Sequence, residues 1–572
     1  MKKSNYILLV IVCAVIFFSC KQKPSSQGKD KVENAPPDAY LNGSKHPYYG
    51  SENAWDMRFF SEKTAKELYN RRGQRQMLLL MEGKFQDTEK YCRELIKEDS
   101  NDLESYFNLA AALANQNKID QAIKIVRESV EKGLPFGRYL VGPRDILKPL
   151  VQSKEFSEYA KNFKIGIVHG PMVGRVTDNS ASFWMRTINE VDIQIKVSKD
   201  KDFKSFVESN IVKSKATDDY TAIAFVDNLE PDKQYFYTLY VNGKQDPDRK
   251  VYSFKTFPKA GKSSQFTIAF GGGAGYVYYH EKIWNVIKGH NPLAFLWLGD
   301  NVYINMPNYP NAMHYYTYYR RQSRPEFRNL VSSTSNYAIW DDHDAATDDI
   351  WLGPYKDKPA WKMSLLDNFK LNWIDPFYGT PEWPATYFNF TIGDVEFFMT
   401  DGRFYRTNPY DDNPTMLGPH QKAWLLDGVK KSKATFKVLV SGVPWAFDAK
   451  KDSRDTWNGF RKERKEIFDF LADNKISGVV LISGDRHRTD IRKIERPNGY
   501  TLYDWQNCQL TNVHTAPLEG GSIFEYNAKN IFGIVKFDTR LPDPKVTFEP
   551  MSIDDEKLYS MTLSINELSD KK

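Results

Sequence analysis

Six apolar runs from Gln265 onward stop abruptly at polar clusters, and this pattern constrains the fold more than any other feature. "FTIAF" stops at Gly271-Gly272-Gly273, "LAFLWLG" at Asp300-Asn301-Val302-Tyr303, and "NYAIW" at Asp341-Asp342-His343-Asp344. "VEFFMT" stops at Asp401-Gly402-Arg403, "FKVLVSGVPW" near Trp445, and "GVVLIS" at Gly484-Asp485-Arg486-His487. Continuous apolar strands of this kind belong to a sheet covered on both faces. In such folds ligands bind beyond the carboxyl ends of the strands. One strand ending in Asp is ordinary turn chemistry. Several doing so, with His and Tyr among them, predict one assembled site.

The residue types in these clusters suit hard metal ions: carboxylate and phenolate oxygens, with imidazole nitrogen as a borderline donor. Asp300 and Tyr303 are three residues apart in a loop past a strand, so both can turn to one ion. A phenol has a pKa of about 10, so it binds best to a strongly polarising cation such as ferric iron. Asp485 and His487 can offer a carboxylate and an imidazole to neighbouring ions. Two adjacent cations can hold a phosphate ester and activate a bound water for in-line attack. Arg403, Arg406 and Arg488 are expected to neutralise phosphate oxygens. Asp342 and His343 are expected near the reacting centre, whereas Asp341 and Asp344 cap the loop or orient neighbours. Asp401 is read as orienting the arginines, and His514 in "LTNVHTAP" as a loop residue able to contact substrate.

"FLWLGDNVY", "IWDDHD", "FFMTDGRFYR", "VLVSGVPW" and "GVVLISGDRHRTD", in this order, resemble the PhoD-like alkaline phosphatase family. "IGIVHGPMVGRVTDNSASFWMRT" with "DNLEPDKQYFYTLYV" resembles that family's N-terminal β domain, so the resemblance covers about residues 165–550. It implies a metallophosphoesterase fold that hydrolyses phosphate mono- and diesters with iron and calcium. It implies that Asp300 bridges the metals, that Tyr303 binds iron, and that Asp485 and His487 are ligands. Two positions depart from the pattern. Gly273 stands where many relatives carry a Cys ligand, and Asp348 aligns with a customary Asn ligand.

The remaining sequence divides by period. Residues 61–165 have helical periodicity, and "EGKFQDTEKYCRELIKED" superimposes on "QNKIDQAIKIVRESVEKG" at an offset of 34, as in tetratricopeptide repeats. This region is read as a partner-binding groove or as a spacer packed on the rest of the chain. Flanking helices are expected over 64–69 and 146–159. Residues 166–260 alternate apolar and polar in short strands with regular turns, predicting a β-sandwich of fibronectin type III-like character. The α/β metallophosphoesterase-type sandwich is expected over 264–560. The fold class is therefore multidomain: helical repeats, β-sandwich, then an α/β sandwich. Tyr315–Phe327 either walls the pocket or packs as an aromatic helix on the sheet, and Arg461–Glu466 reads as a solvated helix face.

Lys2 and Lys3 precede a 13-residue apolar run from Tyr6 to Phe18, too short to span a bilayer but right for a signal-peptide core. Ser19-Cys20 after it resembles a bacterial lipoprotein cleavage box. Residues 1–20 are thus expected to be a leader, Cys20 the lipidated residue, and 21–60 a solvated tether. The protein is expected to be exported and anchored in the periplasm or on the outer membrane. With 41% hydrophobic and 27% charged residues the composition is that of a soluble globular protein. A net charge of +6 over 572 residues is too weak to argue for a nucleic-acid partner. Cys92 is read as a small buried hydrophobe and Cys508 as structural.

Two rival functions follow from the same residues. "FTIAFGGGAGY", a helix around 281–288 and "LAFLWLGD" imitate a dinucleotide-binding βαβ unit, although Tyr276 stands where the third glycine belongs. The glycine at 273 also admits a non-catalytic, phosphatase-like binding lipoprotein.

Overall fold

The computed structural model describes residues 73–304, 311–346, 348–450 and 453–570. The expected leader, Cys20, the tether and the flanking helix expected over 64–69 lie outside them. Among the described residues no helix is long and apolar enough to cross a membrane.

Helices Gln74–Met81, Phe85–Glu98, Leu103–Asn115 and Ile119–Glu131 form the repeat region. The second and fourth start 34 residues apart, at the offset read from the sequence. Helices Gly137–Val141, Arg144–Val151 and Lys154–Ala160 follow. One helix was expected over 146–159. The chain instead breaks at 152–153, where the Ser153 hydroxyl accepts the Phe156 amide at 3.1 Å and caps a new helix.

Leu103–Asn115 is buried along almost its whole length. One flank meets the second and fourth helices, and another meets Tyr316 of helix Ala312–Gln322. The Phe107 and Tyr316 rings stack at 6.1 Å, and Asn108 Nδ2 donates to the Tyr316 hydroxyl at 3.2 Å. A Cβ on Gly73 would lie 1.8 Å from that hydroxyl, so only glycine fits there. The aromatic stretch is therefore a packing helix between the repeats and the sheet. The repeats are packed on their own chain.

Three sheets carry the rest. A nine-stranded sheet runs, in spatial order, Met561–Ser564, Lys545–Ser552, Ile531–Asp538, Gln265–Gly271, Ala294–Trp297, Ser335–Ala338, His169–Gly174, Ala181–Arg186 and Thr221–Val226. The last three strands come from the region read as a separate sandwich. They join the core sheet through a parallel pairing of Gly174 with Asn336. Their other face packs on a six-stranded sheet, with Phe183 against Tyr237 at 4.6 Å between ring centres. The sandwich and the phosphatase-type region thus share one sheet.

A seven-stranded sheet runs Phe388–Ile392, Val395–Met399, Phe436–Ser441, Val479–Ser483, Leu502–Asn507, Thr489–Ile494 and Phe524–Tyr526. One apolar core contains Phe266, Ile268 and Phe270 of the first sheet with Phe397, Val438 and Ile482 of this one. Ala269 and Trp297 pack with the helices around Trp284 and Tyr316. Leu439 and Leu481 pack with helices Gly418–Lys431 and Arg461–Asp473. The result is two sheets face to face with helices outside, which explains why their strands read as continuous apolar runs. Within Arg461–Glu466, expected to be solvated, Glu463 and Arg464 are buried. Glu463 accepts the Thr415 hydroxyl at 2.7 Å, and Arg464 donates to the Trp445 carbonyl at 2.6 Å.

Candidate metal centre

Gln265–Gly271, Ala294–Trp297 and Ser335–Ala338 are mutually parallel, as are Val395–Met399, Phe436–Ser441, Val479–Ser483 and Leu502–Asn507. Their carboxyl-end loops carry most of the candidate residues. Four residues of these loops have positive φ without being glycine: Asp300 at 52°, Asp349 at 56°, Asp485 at 72° and His487 at 48°. Such backbone is costly, and it clusters where a surrounding structure holds side chains for a purpose.

Asp300, Asp342 and His343 are buried, and each offers a donor atom within 4.8 Å of the others. The Tyr303 hydroxyl donates to Asp300 Oδ2 at 2.9 Å and accepts from Asn512 Nδ2 at 2.8 Å. Its ring lies 4.3 Å from that of His343. Burial, then the charges of Asp342, Asp341 and Asp344, push the Asp300 carboxyl well above its usual pKa. A cation here would remove that penalty. Asp348 pairs with His343 Nε2 at 2.9 Å. In this structure it orients an imidazole of that donor group.

A second group shares Asp342. Asp342, Asp349 and Asp455 also offer donor atoms within 4.8 Å of one another. Lys450 Nζ lies 3.5 Å from Asp349, 3.5 Å from Asp455 and 3.7 Å from Asp485. Asp342, rather than Asp300, is thus the residue common to the two groups. Asp485 Oδ2, Asp341 Oδ2 and His487 Nδ1 are buried with no hydrogen-bond partner. Orphaned acceptors among crowded carboxylates, with imidazoles beside them, fit a metal centre. Asp344 behaves as a loop anchor: it accepts the amides of Asp341, Asn301 and Val302 at 3.0, 3.2 and 3.1 Å. Burial pushes its pKa up to about 7.

The three arginines are largely engaged by protein carboxylates and carbonyls, although Arg406 Nε is buried without a hydrogen-bond partner. Arg403 is fully buried, bonds Asp341 through Nε and donates to Asp455 at 2.7 Å. Arg406 donates to the Asp455 carbonyl at 2.7 Å and pairs with its carboxylate at 2.9 Å. Arg488 is held by Asp490 at 2.8 Å and by the carbonyls of Pro517 and Ala449 at 2.6 and 2.8 Å. A buried guanidinium needs internal countercharge, and in this structure all three arginines brace the loops around the candidate centre. Asp401 accepts the amides of Arg403 and Phe404, both at 2.8 Å, and shapes that loop. Burial opposes ionisation of Asp455, but Arg403, Arg406 and Lys450 hold its pKa well below the usual range.

His487 and His514 meet edge to face at 4.8 Å, and His514 is exposed. Burial, then His514 and His343, hold the His487 imidazole well below its usual pKa. That keeps it neutral, as a metal ligand must be. The sequence reading missed Asp349, Asp455, Lys450 and Asn512. Asp349 adjoined a flagged residue, but the others carry no local signal. The glycines of the dinucleotide rival are packed by protein: a Cβ on Gly271 would lie 2.7 Å from Leu510. They make room for side chains, not for a pyrophosphate.

Residues 268–532 match the PhoD-like phosphatase family, 152–258 its N-terminal domain, and 79–134 a tetratricopeptide repeat. Alkaline phosphatase D of Bacillus subtilis (strain 168) is 24% identical over 395 residues, covering 58% of this chain. The chain spans 65% of that relative's length. A solved structure of PhoD superimposes with a TM-score of 0.61 at 18% identity, over 71% of this chain and 92% of that one. Purple acid phosphatase PPD1 from yellow lupin gives 0.53 at 12% identity, over 69% and 74%. Both confirm the layered α/β fold. Strand order, acidic loops and these matches agree: residues 152–532 are similar to the two domains of the PhoD-like phosphatase family, and a tetratricopeptide-like region stands in front of them.

Proposed function

We propose that this protein is a metal-dependent phosphoesterase. The observation that carries the reading is the pair of donor groups sharing Asp342, with Tyr303 hydrogen-bonded to Asp300 beside them. The Asp300, Tyr303 and His343 side would hold iron, and the all-carboxylate side of Asp342, Asp349 and Asp455 would hold calcium, an oxygen-seeking ion. Bound cations supply an activated water and charge for the phosphoryl oxygens.

The chain's own residues do the rest. Asp348 fixes the His343 ring through Nε2. Arg403 and Arg406 hold Asp455 ionised and in place. Asn512 orients the Tyr303 hydroxyl. His514, exposed against His487, donates a proton to the departing ester oxygen. Hydrolysis of p-nitrophenyl phosphate and of bis(p-nitrophenyl) phosphate, before and after chelation and metal return, tests the proposal. Turnover that vanishes on chelation and returns with metal is expected. A metal-replete protein with no turnover on either ester would instead mark a binding protein.

The protein is further proposed to be exported and anchored through lipid on Cys20. Incorporation of labelled palmitate that is lost in Cys20→Ser checks this, and equal labelling of both refutes it.

A further inference from the structure

We propose that Lys450 is a catalytic residue that exchanges places with a cation: its ammonium stands among carboxylates that a metal ion would also take, and a cation entering there turns it onto the phosphoryl oxygens of the ester. The proposal rests on the metal-centre reading above and adds to it a charge supplied by the chain itself. Lys450 Nζ lies 3.5 Å from Asp349 Oδ1, 3.5 Å from Asp455 Oδ2 and 3.7 Å from Asp485 Oδ2. Asp349 and Asp455 belong, with Asp342, to the second donor group. Asp485 Oδ2 is buried without a hydrogen-bond partner. A well-made ammonium–carboxylate bond is about 2.7–2.9 Å long, and the pairs Lys255–Asp232 and Lys118–Glu89 of this chain reach 2.6 and 2.8 Å. Lys450 reaches that length with none of these three carboxylates. It is shared between them, as a cation would be, and gripped by none.

The anchoring of Lys450 suits such an exchange. The carbonyl of Ala449, the residue before it, accepts Arg486 Nε at 3.1 Å and Arg488 Nη2 at 2.8 Å, which fixes the base of the lysine. Beyond that base the side chain is a flexible stem ending in a point charge. The side chains of Arg403 and Arg406, the other basic groups on Asp455, are fully buried, whereas that of Lys450 is 21% exposed. Lys450 is thus the one of the three that reaches the open side of the centre, where Asp349 is also partly exposed. An ammonium and a divalent ion repel each other strongly at such short range, so the two cannot share the carboxylates of Asp349 and Asp455. The displaced ammonium turns to the open side, which is where an ester must arrive. There it donates hydrogen bonds to the phosphoryl oxygens as a point charge. It gives up no proton, and no bond forms or breaks at its nitrogen.

The test is titration calorimetry on the full chain, first with calcium alone and then with inorganic phosphate added to the calcium-loaded protein. Lys450→Met keeps the stem and removes the charge. It should bind calcium about tenfold tighter than wild type, because a competing cation is gone. It should bind inorganic phosphate about tenfold more weakly, and kcat/KM for p-nitrophenyl phosphate should fall with it. Lys450→Arg keeps the charge and should return both affinities toward wild type. Tighter calcium with weaker phosphate is a combination that a lysine serving only as a brace would not give, since loss of a brace weakens both. Calcium affinity that is unchanged or lower in Lys450→Met overturns the proposal, and so does phosphate affinity equal to wild type. If neither wild type nor Lys450→Met binds calcium, the proposal falls together with the metal-centre reading, so the two failures are distinguishable. If Lys450→Met does not fold, Lys450→Gln, neutral and polar, carries the same measurements.

Discussion

Asp342 serves both donor groups and also its own loop, accepting the His343 amide at 3.0 Å and the Asp349 amide at 2.7 Å. Asp342→Asn keeps the shape and one oxygen but removes the charge. Turnover should fall by roughly a hundredfold or more, with a melting temperature close to wild type, checked by ester hydrolysis beside thermal unfolding. Asp348→Ala frees the His343 ring, and activity should fall by about 10–100-fold in the same assay. Away from the centre, Asp504 accepts the Ser483 hydroxyl at 2.7 Å and the amides of Trp445 and Ala446 at 2.8 and 2.9 Å. Burial nevertheless raises its pKa from 3.8 to about 6. The native state thus holds a proton that the unfolded chain releases earlier. The stability tied to this group is complete below pH 3.8 and is lost as pH rises through about 6. At about 1.4 kcal/mol per pKa unit that is up to about 3 kcal/mol, and Asp504→Asn should flatten urea-unfolding stability across that window. Asp300, Tyr303, Asp342 and His343 were legible because they end apolar runs. Asp455 and Lys450 were not, because a lone carboxylate and a lone lysine in "AKKDSRDTW" look like any solvated loop.

Helix Ala312–Gln322 shows what local pattern reveals and what it hides. Its aromatic stretch announced packing, but not that the repeats would be the partner. The Tyr316 ring is fully buried against Phe107, and Arg138 lies over it at 5.4 Å. Tyr316→Ala should destabilise by about 3–5 kcal/mol through the cavity it leaves. Tyr316→Phe should cost only about 1–3 kcal/mol, for the partners left unbonded. Denaturant unfolding of both variants checks the order, and equal losses would deny the hydroxyl any share. The 34-residue offset and the period-2 strands were readable because both depend on neighbours in sequence. The pairing of Gly174 with Asn336 was not, since nothing local marks a contact 162 residues away. That pairing is why the expected sandwich emerges as part of the core sheet.

Across the molecule, the crowded carboxylates make cation binding and folding one equilibrium. A metal at a hundred times its Kd should add about 2.7 kcal/mol of stability, so chelation should lower the melting temperature and metal return should restore it. No shift in either direction would separate the centre from the fold. The helical layer enters this coupling directly. The Gln74 side-chain amide donates to the carbonyl of Tyr303, and Tyr316 is gripped by Gly73, Phe107 and Asn108. The front of the described chain therefore leans on the phenol-bearing turn with no slack between them. A change that shifts the front helices is therefore expected to reach the turn that carries Tyr303, at the edge of the candidate metal centre.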